Sequence, residues 1–173
     1  MKKTTVWAAG ACLVATMLAG TGAAQAEPSP YQEVFIALEG DPTLVAEPAS
    51  VDGQDAVVLA TRTADKRQRW TQQYGYTEGP NGEEVRFEQY INVETGLCLN
   101  APQMERGRMT TAPCYTDMKH QTFVPDQFTD EKGTHTLLRV DNFCVEAPWR
   151  GPLITDFCKY NDRQRWSVTP ADA

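Results

Sequence analysis

Asn161-Asp162-Arg163-Gln164-Arg165-Trp166, close to the C-terminus, is nearly repeated by Ala64-Asp65-Lys66-Arg67-Gln68-Arg69-Trp70. Between the two stands Gln121-Thr122-Phe123, so three times along the chain a glutamine precedes an aromatic by two residues. Each occurrence closes a segment that opens on a short apolar run. Near the start of each segment Leu44 with Pro48, Cys98 with Pro102 and Cys144 with Pro148 fall into line, and Gly53, Gly107 and Gly151 follow the prolines. A register kept through several landmarks defines an internal repeat, with units at about 31–73, 88–127 and 135–170. Solenoids and propellers with repeats of this length need more copies or a longer chain, so three units predict a closed object with threefold pseudo-symmetry.

The N-terminus reads as a secretory signal. Lys2-Lys3 precedes an apolar stretch over about residues 6–19, and Ala24-Gln25-Ala26 forms a small-x-small cleavage site before Glu27. The stretch is short and broken by Gly10 and Thr16, which argues against a membrane-spanning helix. Removal of residues 1–26 leaves 27–173, enough for one domain with its own core, and predicts a secreted, extracellular protein. That part holds 14 basic and 23 acidic residues, a formal charge of −9, which argues against nucleic acid as a partner. No lipidation motif or basic amphipathic stretch predicts membrane insertion of the mature chain.

Four cysteines remain after cleavage, and in an exported chain an even number predicts disulfides before metal ligands or nucleophiles. Of the three pairings open to Cys98, Cys114, Cys144 and Cys158, the repeat selects Cys98 with Cys114 and Cys144 with Cys158. These stand at the same two places in units two and three. Each bridge closes a loop within its own unit, stabilising by about 3 kcal/mol in the chain-entropy account. Unit one has Leu44 and Arg62 at those places and must rely on packing.

Beyond the signal, helical periodicity gives way to short β-type runs at 34–38, 57–60, 85–93, 137–140 and 166–169. Turn signals separate them at Asp52-Gly53, Gly79-Pro80-Asn81-Gly82, Thr95-Gly96 and Asp130-Glu131-Lys132-Gly133. The chain is therefore expected to be all-β. The Gly79 and Asp130 turns fall between units and predict hairpins that hand the chain from one unit to the next.

Three units of this size, Cys-Leu-Asn and Cys-Val-Glu each followed later by a second cysteine, and Gln-x-aromatic at each unit's end together resemble the ricin B-type lectin family. The resemblance spans about residues 31–170. It implies a β-trefoil, a six-stranded barrel capped by three hairpins, here with two intra-repeat disulfides. It also implies that Gln68, Trp70, Gln121, Phe123, Gln164 and Trp166 are structural, with the aromatics in the core and each glutamine bonded to a fixed backbone partner.

Sugar binding in that family uses a shallow pocket in each unit. A carboxylate stands two residues after the first cysteine, an aromatic two before the second, and a polar residue just before the glutamine. Vicinal hydroxyls want charged or amide partners, and a sugar's apolar face wants an aromatic platform. This chain departs from the pattern. The carboxylate place holds Ala46, Asn100 and Glu146; the platform place Ala60, Ala112 and Asp156; the polar place Arg67, His120 and Arg163. Unit three keeps most, with Glu146 as acceptor, Asp156 and Arg163 as polar contacts and Trp149 as a replacement platform. Unit two offers Asn100 and His120, with Tyr115 nearby. A contact role for Glu146 predicts that Glu146→Ala removes binding and leaves stability unchanged. The structural alternatives are Trp149 packed under its own loop, Tyr115 and Tyr160 as half-buried strand neighbours, and Glu146 paired with Arg150.

Chemistry is poorly provided for. His120 and His135 are the two neutral-pH bases, and neither has metal-ligand spacing or a nucleophile motif beside it. The disulfides remove the mature thiols from nucleophilic roles. No cofactor, metal or catalytic residue is expected. The sequence thus predicts a glycan-binding domain without catalysis. The alternative is a trefoil that has lost its sugar pockets and contacts a protein, as a toxin-like binding subunit or a hydrolase inhibitor.

Overall fold

The computed structural model of the chain describes residues 31–79, 81–115 and 119–172. The expected signal, residues 1–26, lies outside the described residues. Unit one contains strands β1 (Gln32–Leu38), β2 (Asp41–Val51), β3 (Gln54–Thr61) and β4 (Trp70–Glu78). Unit two contains β5 (Glu84–Asn92), β6 (Cys98–Asn100), β7 (Gly107–Arg108), β8 (Thr110–Ala112) and β9 (Val124–Asp130). Unit three contains β10 (Gly133–Val140), β11 (Phe143–Glu146), β12 (Ile154–Phe157) and β13 (Trp166–Pro170). No α-helix occurs among the described residues, and short 3-10 turns stand at Lys66–Gln68 and Asp162–Gln164.

The first and last strands of each unit form a closed barrel. Strand β1 pairs with β4 and β13, β4 with β5, β9 with β10, and β10 with β13. The remaining seam is closed by Glu88 and Phe123, which exchange backbone hydrogen bonds of 2.7 and 2.8 Å. Closure removes the exposed edges that a sheet otherwise presents. The hairpins β4–β5 and β9–β10 hand the chain between units, as the turn signals predict.

Strands β2–β3, β6–β8 and β11–β12 form the cap. At its centre a triangle of backbone hydrogen bonds links the units: Val57 N–H to Met109 C=O at 3.0 Å, Met109 N–H to Leu153 C=O at 2.9 Å, and Leu153 N–H to Val57 C=O at 2.7 Å. These three side chains are buried, so each otherwise unpaired peptide group is satisfied by the neighbouring unit. Asp52 and Gly53, with φ of 55° and 72°, make the tight β2–β3 turn whose two positive φ values favour an Asp-Gly pair.

Beneath the cap lies the core. Trp70 and Trp166 are buried at 0% and 2% exposure and their indole N–H groups donate to Ala46 C=O at 3.0 Å and Val145 C=O at 2.9 Å. Phe123 fills the third place without a polar handle and lies 5.6 Å from Tyr90, centroid to centroid. Strand β1 is buried on both faces because Val34 and Ile36 enter this core while Phe35 and Ala37 join Val45 in a smaller one.

Both expected disulfides form, Cys98–Cys114 and Cys144–Cys158, each with Cα atoms 5.0 Å apart. Cross-strand pairs correct the reading of unit one by one residue. Val45 opposite Ala60 matches Cys144 opposite Asp156 and Cys98 opposite Ala112, so Val45, not Leu44, holds the first-cysteine place. The carboxylate place of unit one is then Glu47, not Ala46. Arg62 keeps the second-cysteine place and stacks on Phe35, its guanidinium carbon 4.1 Å from the ring centroid. Packing thus replaces the cross-link.

Candidate functional site

The repeated Asp/Asn-x-Arg-Gln stretch is explained by capping. Asp65 and Asn161 accept from the backbone N–H of Arg67 and Arg163, each at 2.9 Å, and start the two 3-10 turns. The turn delivers the glutamine inward and the arginine to the rim. Gln68 donates to Glu47 Oε2 at 2.7 Å and Thr61 C=O at 2.9 Å, and accepts from Thr63 N–H at 2.6 Å. Gln164 repeats this with Glu146 at 3.0 Å, Phe157 C=O at 2.8 Å and Lys159 N–H at 2.7 Å. Gln121 makes only the backbone pair, to Pro113 C=O at 2.9 Å and from Tyr115 N–H at 3.0 Å. Every amide is bonded, which is what makes a buried glutamine tolerable.

In unit three Arg163 Nη2 lies 3.2 Å from Glu146 Oε1, and its guanidinium carbon is 5.9 Å from the centroid of Trp149. Glu146 is buried at 3% exposure, so both its oxygens face protein donors, and Arg163 rather than Arg150 is its ion-pair partner. Trp149 is 88% exposed and does not pack under its loop. Asp156 is buried and accepts from Lys159 Nζ at 2.7 Å and Phe157 N–H at 2.8 Å. Burial alone would push its carboxyl up, but these two bonds together hold it below the usual carboxylate range. Lys159 is raised in turn, chiefly by its bond to Asp156. Unit three therefore presents an open indole face beside Arg163, which Glu146 holds, while Asp156 holds a second cation, Lys159.

Unit one has the corresponding carboxylate, Glu47, with Arg67 Nη1 at 3.6 Å from it. Its platform place is Ala60, without an aromatic. In unit two Asn100 is half-buried and bonds Thr110 Oγ1 at 3.3 Å, while His120 is exposed. Their segments meet through the backbone bond from Ala101 N–H to His120 C=O at 2.8 Å, matched in unit three by Ala147 N–H to Arg163 C=O at 2.9 Å. Tyr115 and Tyr160 are exposed at 48% and 51%. Lys159 and Glu47 were missed in the sequence: a lysine after a cysteine reads as solvated surface, and Glu47 was hidden by the one-residue offset.

The second residue of the third Gln-x-aromatic joins a separate polar cluster. Arg165 approaches Asp130 and lies 3.2 Å from His135 Nε2, while His135 Nδ1 and Nε2 are 2.6 and 2.9 Å from Glu39 and Asp130. His135 is thus enclosed at both ring nitrogens. Among the described residues no group of His, Cys, Asp and Glu side chains has the arrangement of a metal site, and no helix is long and apolar enough to cross a membrane.

No protein-family model matches the chain, and no curated protein is significantly similar to it in sequence. Solved structures are similar in fold. The apo BEL β-trefoil superposes with a TM-score of 0.57 at 10% identity, over 81% of this chain and 93% of that one. The Macrolepiota procera ricin B-like lectin in complex with lactose gives 0.56 at 13%, over 83% and 99%. A chain of the Haemophilus ducreyi cytolethal distending toxin gives 0.55 at 12%, over 83% and 86%. With barrel, cap and threefold repeat in agreement, this chain is a β-trefoil with two intra-repeat disulfides.

Proposed function

We propose that the protein is an exported, non-catalytic β-trefoil that binds a glycan through unit three. The observation that carries the reading is Trp149, an 88% exposed indole standing beside Arg163, whose cation is fixed by a buried carboxylate. A sugar's apolar face stacks on the indole, and its hydroxyl oxygens accept from Arg163 and Lys159. The lactose complex of a fold neighbour supports the class of ligand without assigning the sugar. The signal read at residues 1–26 supports export. One open pocket corresponds to an affinity near millimolar, roughly −4 kcal/mol.

The test is a glycan array on the oxidised chain beginning at Glu27, with Trp149→Ala and Arg163→Ala alongside. Binding that both variants lose, with unchanged melting curves, is the expected result. A blank array from the folded protein would sink the reading. It would favour contact with a protein instead, for which the exposure of Trp149, Phe157 and Tyr160 on unit three supplies the apolar anchors.

A further inference from the structure

The three seams of the cap are not closed alike. Where unit two meets unit three, β7 lies antiparallel on β12, with Gly107 opposite Thr155 and Arg108 opposite Ile154. The Thr155 hydroxyl stands 2.7 and 2.9 Å from the carbonyl oxygens of Pro102 and Met104. Packing there is so close that a Cβ on Gly107 would come within 2.6 to 2.8 Å of Pro102, Met104 and Thr155. Where unit one meets unit two, β3 itself runs against β8.

The seam between units three and one lacks such a filling. Gly151 and Pro152, just before the apex residue Leu153, take the places that Gly107 and Arg108 hold before Met109. Pro152 has no N–H to give to a neighbouring strand. The loop that carries the pair is also shorter: nine steps separate Cys144 from Leu153, where eleven separate Cys98 from Met109. A Cβ on Gly151 would meet nothing within 4 Å. Across this seam stands β3, which pairs with β2 alone. Val57 turns its N–H and C=O away from β2, to Met109 and Leu153, so strand alternation turns those of Leu59 the same way. No strand of the described residues lies opposite them. What lies there is a cleft of about 580 Å³, floored by Leu38, Leu44, Leu59 and Leu153 and bordered by Trp149.

We infer that this edge of β3 receives an extended peptide of a partner protein. The peptide adds as an antiparallel strand, exchanges backbone hydrogen bonds with Leu59 and sets a large apolar side chain among the leucines. The molecule itself shows the fitting occupant, since the matching place on β12 is taken by a strand of its own chain. A lipid or other purely apolar ligand would cover the leucines and leave the Leu59 peptide groups unpaired. A sugar would pair them, but its remaining hydroxyls would be stripped of water over the leucines without partners. The rim selects no sign of charge, because Asp41 and Arg150 both lack an ion-pair partner among the described residues. The cleft shares Trp149 and Arg163 with the proposed glycan surface, whereas Leu59 and its strand edge belong to unit one and form no part of that surface.

Displayed heptapeptides are selected on the oxidised chain beginning at Glu27, and amide hydrogen exchange of Leu59 is followed by NMR with each recovered peptide. In the free protein the Leu59 amide should exchange faster than that of Thr155, its counterpart on the covered edge. Recovered peptides should carry a large apolar residue and slow the exchange of Leu59. Methylating the peptide nitrogens one at a time should weaken binding about tenfold at alternate positions, those whose N–H faces β3, and little between them. Leu59→Thr, which copies Thr155, keeps the edge but removes part of the floor and should weaken binding by about tenfold. The methylated peptides leave the protein unaltered, so they decide the matter even where Leu59→Thr unfolds. No peptide that slows Leu59 exchange, N-methylation with the same effect at every position, or undiminished binding by a folded Leu59→Thr variant would each overturn the inference. All are read without a glycan, so a blank array and a bare β3 edge are separate results.

Discussion

Glu146 lies beneath Arg163, its carboxylate buried and 3.2 Å from a guanidinium that solvent reaches. The same carboxylate accepts from Gln164. One residue therefore ties the rim of the pocket to the invariant glutamine of the repeat, and its removal acts on both.

Glu146→Ala should leave Gln164 and Arg163 short of a buried acceptor and cost about 1–3 kcal/mol of stability, with weaker glycan binding as a second effect. This reverses the expectation from sequence, in which stability was unaffected. Urea denaturation decides it; an unchanged midpoint would restore the contact role. Glu47→Ala in unit one, where the side chain is 14% exposed, should cost less.

The environment of His135 gives stability a pH optimum. Hydrogen bonds donated by the ring to Asp130 first and to Glu39 second raise the imidazole above its ordinary 6.5. Its stabilisation is complete below 6.5 and disappears as pH rises through the raised folded value. The bond from His135, and then the Lys132 N–H, lower the Asp130 carboxyl from 3.8 to about 2, so its contribution is complete above 3.8 and disappears as pH falls toward 2. Melting temperatures should therefore peak between these limits. His135→Gln should flatten the alkaline decline, and an identical decline in the variant would show that another group causes it.

Trp70 is sealed in the core, so Trp70→Ala should cost about 3–5 kcal/mol. Trp70→Phe imitates what unit two already does with Phe123 and should cost less, chiefly through the lost bond to Ala46 C=O. Chemical denaturation of the two variants measures the difference; equal losses would mean that the indole ring size, not its burial, is decisive.

The corrected register makes unit one a site for a third cross-link. Val45→Cys with Arg62→Cys places thiols where units two and three have theirs, and non-reducing mass mapping should find them joined. The bridge should add up to about 3 kcal/mol, less the lost stacking of Arg62 on Phe35. Free thiols in the oxidised double variant would refute the alignment of Val45 with Cys144.

Much of this architecture was legible in the sequence because it is written in local, repeated chemistry. The Gln-x-aromatic stretch carries its own cap and core anchor, and paired cysteines fix the register of units two and three. Unit one lacks that anchor, and there the prolines misled: Pro48 occupies the place of Ala101 and Ala147, one residue before that of Pro102 and Pro148, so the alignment slipped by one and hid Glu47. No apolar run marks β2, since Pro48 interrupts it, and β4 is marked only by the Gly79 hairpin turn that follows it, because the polar run from Thr71 to Gln73 breaks its apolar pattern. The cleft of units one and three that Leu44 and Leu153 both line is invisible in the sequence, because the two come to one surface only after the barrel closes. Trp149 was legible as a candidate, but its exposure depends on how its loop leaves β11.

The triangle of Val57, Met109 and Leu153 has a kinetic meaning. No two units can complete it, and its last side joins residues from opposite ends of the described chain, so the cap gains nothing from partial assembly. Such non-local closure raises the contact order and slows folding. A chain leaving the ribosome must hold units one and two with an open apex until unit three arrives, exposing Val57 and Met109 meanwhile. The yield of folded protein, more than the stability of the finished domain, is the quantity that substitutions at this apex should govern.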